Sequence, residues 1–141
     1  MKNNDSAVLS TVKQFLNGYA SQDPESCMRV VSTSVPVVFF GTNLDEVFRD
    51  ADSIRAALIR DFGSISDIHF GEYQQLIVHV ENSLASLIVE LPISFKATED
   101  KQQCIFRYAF NLRKEENDVW KIYSCMVCVP FSSGSLAFDE N

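Results

Sequence analysis

Two adjacent carboxylates, Asp45 and Glu46, stand between an apolar run at residues 37–40 and an amphipathic stretch at 52–62. A strand-to-helix loop is a common place for a carboxylate that moves a proton or anchors a ligand. The pair is therefore the candidate catalytic group, with a solvated loop as the plain alternative. Two tyrosines could supply a neutral hydroxyl beside it: Tyr19, ending an apolar helical stripe, and Tyr108, between Phe106 and Phe110 on one strand face. Cys125 and Cys128 have C-x-x-C spacing. In redox and zinc sites that spacing lies on a turn or helix start, where both sulfurs point one way. Here it falls inside residues 120–129, which read as a strand, so the two sulfurs face opposite sides. Buried thiols are expected rather than a metal or redox centre. His69 and His79 share a face by strand parity but are too far apart along a strand for one metal. Glu90 and Arg107 belong to polar strand faces, solvated or at a subunit contact. There is no Ser-His-Asp set, phosphate loop or nucleotide fingerprint, and no cofactor is implied.

The elements that must position these residues alternate between two periods. In residues 6–20, Leu9, Val12, Leu16 and Tyr19 repeat at helical spacing, with Val8 and Phe15 widening the stripe and Ser6 as expected N-cap. Asp23-Pro24 starts a second short helix, to about residue 31. Pro36 opens a strand at 37–40, expected to be buried on both faces. A loop at 41–49 leads to a third helix, capped by Asp50 or Asp52, ending near Phe62 with Gly63 in the left-handed position. From about residue 66 the pattern becomes alternating: 68–80 broken near Gly71, 84–97, 104–113 and 120–129. Pro92 marks an edge or bulge. Three short polar links imply an antiparallel meander. The expected class is α+β: three N-terminal helices packed in a strongly curved, mainly antiparallel sheet, forming a conical barrel with an open mouth.

The 141 residues suit one domain, residues 1–130, followed by a loosely held tail at 131–141. A net charge of −7 argues against nucleic acid and against anionic membrane surfaces. The polar N-terminus carries no secretory pattern, and no apolar run reaches the roughly 20 residues a membrane helix needs. A cytoplasmic location is expected. Eleven phenylalanines against one tryptophan mean many rings that fill a core or line a cavity.

The stretch from Gly41-Thr42 through Asp45-Glu46 and Phe48 to Ser53-Ile54-Arg55-Ala56-Ala57-Leu58 resembles the SnoaL-like branch of the nuclear transport factor 2-like superfamily. The segments "FLNGYASQDPES" and "DVWKIYSCMVCVP" are similar too, and the likeness spans residues 8–130. The resemblance implies a conical α+β barrel, a pocket between helices and sheet, and dimers through the outer sheet face. It also implies a range of roles, from ketosteroid isomerases, cyclases and dehydratases to binding and association domains. In the isomerase pattern the helix-one tyrosine falls on Phe15, and the general-base aspartate falls near residues 39–41, where no carboxylate stands. The strand at 104–112 has no acid, and the last-strand histidine of SnoaL-like relatives falls on Ser124 or Met126. The expected function is binding of a small apolar molecule, in a pocket lined by Tyr19, Phe40, Phe48, Tyr108, Phe110 and Met126. Met126 is placed there by parity with Trp120 and Ile122. The alternatives are a lyase or isomerase using Asp45 or Glu46, and a protein-association module.

Overall fold

A computed structural model describes residues 3–134. The tail expected at 131–141 lies, from residue 135 onward, outside the described residues. Three helices lead the chain: α1 (Asn3–Ala20), α2 (Pro24–Met28) and α3 (Ala51–Ser64). Between the last two come β1 (Val38–Phe40) and β2 (Val47–Phe48). After α3 the chain is all strand: β3 (Ile65–Phe70), β4 (Gln74–Glu81), β5 (Leu84–Ala97), β6 (Asp100–Glu115) and β7 (Val119–Cys128). The seven strands make one sheet in the order β2-β1-β7-β6-β5-β3, with β4 also on β5. All pairings are antiparallel except β1 with β7. The α+β plan and the antiparallel meander are as the change of period implies.

Capping chemistry sets the helix starts. Asp23 accepts from the Ser26 N–H at 3.2 Å, with Pro24 in the first turn, where its missing N–H costs nothing. Asp50 and Ser53 close a reciprocal capping box on α3. Three local expectations are corrected. Helix α1 begins at Asn3, so Ser6 is helical rather than a cap. Helix α2 ends at Met28. Gly63 is not a left-handed terminator: α3 runs through it to Ser64, and Ile65 enters β3 directly in extended conformation.

Helix α1 fills the concave side of the sheet. Its Val8, Val12, Phe15 and Leu16 are buried against Leu87, Val89 and Leu91 of β5, Phe110 and Leu112 of β6, and Ile122 of β7. Strand alternation is clean over residues 85–93 of β5 and 106–112 of β6, where the inner face is apolar. Strand β1 is not buried on both faces, as its apolar run implies; Phe39 points in and Phe40 out. Pro92 sits at a seam. Residues 84–90 of β5 pair with β4 and residues 93–97 with β3, so the proline falls where one partner hands over to the other. Its carbonyl accepts from the Gly71 N–H at 2.8 Å. A Cβ on Gly71 would lie 3.0 Å from the proline ring, so a side chain there would have to push the ring aside by a few tenths of an ångström.

Strand β7 holds the main correction. Leu112 faces Ile122 and Asn111 faces Ser124, which leaves Tyr123 as an extra residue on β7. The bulge falls where the other neighbour changes: Ile122 bonds the backbone at Val30 and Ser32, whereas Ser124 onward pairs with β1. Past it the parity inverts. Cys125 turns inward and Met126 outward, 53% exposed. The two sulfurs of the C-x-x-C do face opposite sides, but Cys128 is exposed rather than buried.

Candidate functional site

The open end of the barrel encloses a cavity of about 120 Å³. Helix α1 contributes Phe15 and Tyr19; α3 contributes Ile54, Ala57, Leu58 and Asp61. The β1–β2 hairpin adds Phe39, Phe40, Gly41, Thr42, Glu46 and Phe48, and the sheet floor adds Phe106, Tyr108, Cys125 and Val127. Strand pairing explains the hairpin's part: Phe48 lies opposite Phe39, so both rings turn inward. Short β2 is hidden in the sequence within what reads as a loop.

Of the residues expected at the site, Tyr19, Phe48 and Tyr108 border the cavity directly. Phe40 borders it only from the rim, since its register with Met126 puts it on the outer side. Phe110 is 1% exposed and lies behind the lining, stacked on Tyr108 with ring centroids 5.2 Å apart. Met126 is outside, for the reason given by the bulge at Tyr123. The acidic pair divides: Asp45 is exposed and away from the cavity, and Glu46 faces it.

Glu46 also holds the hairpin turn. Its Oε1 accepts from the Asn43 N–H at 2.8 Å, and its carbonyl accepts from the Gly41 N–H at 2.9 Å. A Cβ at Gly41 would lie 2.8 Å from the Glu46 side chain, so the close approach favours glycine at this position. Arg60 Nη2 stands 3.9 Å from Glu46 Oε2 on the solvent side, over the Phe48 ring.

The second carboxylate that lines the cavity is Asp61 on α3. The Tyr19 hydroxyl donates to Asp61 Oδ2 at 3.0 Å. Burial pushes the Asp61 carboxyl above the usual range; the Tyr19 hydrogen bond pulls it down, and nearby Glu46 pushes it up again. Burial likewise raises the Tyr19 hydroxyl, helped by the charge of Asp61, and raises Tyr108 well above an ordinary tyrosine. A signal for Asp61 does exist in the sequence. It stands three residues after Leu58 and seven after Ile54, on the apolar face of its helix, where a carboxylate is out of place.

Metal-binding chemistry has no cluster here: among the described residues no three His, Cys, Asp or Glu side chains gather. His69 lies on β3 opposite Ser94 and His79 on β4 opposite Ser86, both exposed. No helix among the described residues is long and apolar enough to cross a membrane.

With helices, sheet and pocket in place, the sequence matches the model of the SnoaL-like domain over residues 8–132. The chain belongs to the SnoaL-like domain family. Solved structures share the fold. A nuclear transport factor 2-like superfamily protein from Salmonella enterica superposes with a TM-score of 0.83 at 14% identity, covering 94% of this chain and 95% of that one. A ketosteroid isomerase-like protein from Erwinia carotovora atroseptica gives 0.80 at 11% identity, covering 94% and 100%. A proposed dehydratase of the same superfamily from Streptomyces avermitilis gives 0.81 at 12% identity, covering 92% and 97%. At such identities the likeness concerns the fold alone. No curated protein matches the chain.

Proposed function

We propose that this SnoaL-like domain binds a small, largely apolar molecule in the barrel pocket and does so as a homodimer. The observation that carries the reading is the cavity itself: aromatic walls around about 120 Å³, with polar groups gathered toward Asp61, Glu46 and the Tyr108 hydroxyl. An apolar cavity of about 150 Å³ is large enough to hold benzene, so a single-ring ligand matches this volume. A few placed polar groups in an apolar lining are what orients such ligands.

A second reading has a specific observation behind it. Asp61, desolvated and hydrogen-bonded to Tyr19, is the kind of carboxylate that serves as a general base, so lyase or isomerase chemistry centres on Asp61 rather than on Asp45. The relatives described as a proposed dehydratase and as ketosteroid isomerase-like make that reaction class the natural one to test. Ketosteroid isomerisation as such is not expected, since Phe15 and residues 39–41 offer neither the hydroxyl nor the base.

The homodimer reading rests on the outer face. Ile77, Ile88, Ala109, Met126, Phe40 and Val47 stand directly opposite one another across six strands, all exposed. The Glu90–Arg107 ion pair at 2.6 Å borders this row on one side, and Asn111 bonded to Ser124 borders it on the other. A continuous apolar row between polar edges suits a second copy laid across it. The four thiols are free, which suits a reducing cytoplasm.

The test is a thermal-shift screen of single-ring compounds on wild type and Tyr108→Phe, with sedimentation of wild type and Ile88→Asp at micromolar concentration. Stabilisation by apolar rings, weakened for hydroxylated ones in Tyr108→Phe, supports the pocket. A dimer that Ile88→Asp converts to monomer supports the interface. If no compound stabilises either protein, the association-module reading replaces the binding one. Turnover that is lost in Asp61→Asn while binding persists would favour the enzyme.

A further inference from the structure

The hydrogen-bonding groups of the pocket are lopsided. Tyr19 already donates its proton to Asp61. Glu46 accepts from Asn43 through one oxygen and faces exposed Arg60 through the other. The lining contains no lysine, arginine or histidine. Asp61 makes no ion pair within 4 Å among the described residues; the charged and titratable groups around it are Tyr19 from α1, Glu46 from the hairpin turn, Arg60 from its own helix and Tyr108 from β6. An anionic or carbonyl oxygen placed beside Asp61 would therefore meet acceptors. A donor would find one waiting.

Tyr108 gives an independent sign of a ligand. It is 7% exposed and lines the cavity, yet its hydroxyl has no hydrogen-bond partner among the described residues. Buried tyrosine hydroxyls ordinarily find partners. Two rings flank it, Phe110 stacked and Phe106 edge-on at 5.8 Å, so its orientation is fixed by packing rather than by a bond of its own. The hydroxyl oxygen is not among the fully buried unpartnered atoms, so it is open to a partner on the cavity side.

We propose that the ligand is a single-ring compound carrying a protonated amine, which Asp61 receives with Glu46 nearby, while the Tyr108 hydroxyl meets the ligand at the sheet floor. The inference deepens the small-molecule reading and depends on it. Three physical effects favour the cation. A charge-assisted hydrogen bond to a carboxylate is stronger than a neutral one. Aromatic walls attract an ammonium group through their faces. A positive charge also relieves the repulsion between two carboxylates, which no side chain inside the cavity does.

The experiment is isothermal titration of the full chain with benzylamine, benzyl alcohol, benzoate and toluene, four probes of one size and different polarity. Benzylamine should bind at least about tenfold more tightly than benzyl alcohol, the ratio separating charge-assisted from neutral hydrogen bonds. Benzoate should bind more weakly than toluene. Asp61→Asn, which keeps an acceptor for Tyr19, should bring benzylamine and benzyl alcohol to within about twofold of each other, since the remaining bonds are neutral. Tyr108→Phe should weaken benzyl alcohol more than toluene. On wild type alone, benzylamine affinity should fall as pH is lowered through the raised Asp61 titration, because protonation removes the charge it pairs with; benzyl alcohol affinity should stay level. Benzyl alcohol or benzoate binding as tightly as benzylamine, or an amine preference that survives in Asp61→Asn, overturns the proposal while leaving the pocket reading intact. Failure of all four probes, toluene included, overturns both.

Discussion

Removing one oxygen, Tyr19→Phe, isolates the interaction on which the site's electrostatics turn. The ring keeps its edge-on packing against Phe62, at 5.2 Å between centroids, so the change falls on the 3.0 Å hydrogen bond to Asp61. A hydrogen bond to a charged group contributes about 1.5–3 kcal/mol, and the lower end applies because Asp61 is only partly desolvated. For 141 residues the unfolding entropy is about 0.3 kcal/mol/K, so a loss of about 1.5 kcal/mol lowers Tm by about 5 °C. The loss must depend on pH. Asp61 titrates higher in the folded than in the unfolded chain, so the folded state holds its proton more tightly and stability falls as pH rises through the folded value. Tyr19→Phe moves that folded value further up. The variant's deficit is therefore full above its own raised folded value and shrinks as pH falls through the wild-type folded value. Urea melts of wild type, Tyr19→Phe, Asp61→Asn and the double variant, at neutral and acidic pH, make the measurement. In the Asp61→Asn background the tyrosine deletion should cost about 0.5–1 kcal/mol, a neutral hydrogen bond. Equal costs in both backgrounds and at both pH values would mean that Tyr19 acts by packing alone, and the argument would fail.

Three further outcomes are expected. Gly41→Ala puts a Cβ 2.8 Å from the Glu46 side chain and should destabilise by about 1–3 kcal/mol, read as a lower urea midpoint; an unchanged midpoint would show that the hairpin turn yields. Phe110→Ala removes a ring that is 1% exposed and should cost about 3–5 kcal/mol with an unchanged denaturant slope. With an aromatic disulfide reagent, Cys128 should react quickly, while buried Cys125 and Cys27, the latter pushed up to about 12 by burial, should react only as the protein unfolds; labelling of Cys125 as fast as Cys128 would contradict the inverted parity.

The long elements are legible because their periods run uninterrupted: Val8 to Leu16 on α1, Leu87 to Ile93 on β5, Phe106 to Leu112 on β6. Errors gather where a tertiary partner overrides local pattern. Gly63 reads as a helix terminator, yet α3 passes through it and hands over directly to β3. Val47-Phe48 is too short to read as a strand and exists because β1 offers it an edge. Parity misplaces Met126 because alternation predicts nothing about an inserted residue, and the bulge at Tyr123 answers to a change of neighbour that only the folded sheet contains. Asp61 is overshadowed in the sequence by the more visible Asp45-Glu46 pair, although its helical phase marks it as inward-facing.

Beyond that inserted tyrosine, two surfaces of the protein share a single phase. Upstream of it, even-numbered residues of β7 fill the core; downstream, odd-numbered ones line the pocket and even-numbered ones face outward, Met126 in the apolar row. Deleting Tyr123 would remove the bulge and join Ile122 to Ser124 in regular alternation, so Ser124, Cys125 and Met126 would keep the partners and faces they have now. A residue added or lost in the regularly paired stretch beyond it would instead exchange cavity-facing and outward-facing side chains together. Change in either must come by replacing side chains one at a time, with the phase held fixed.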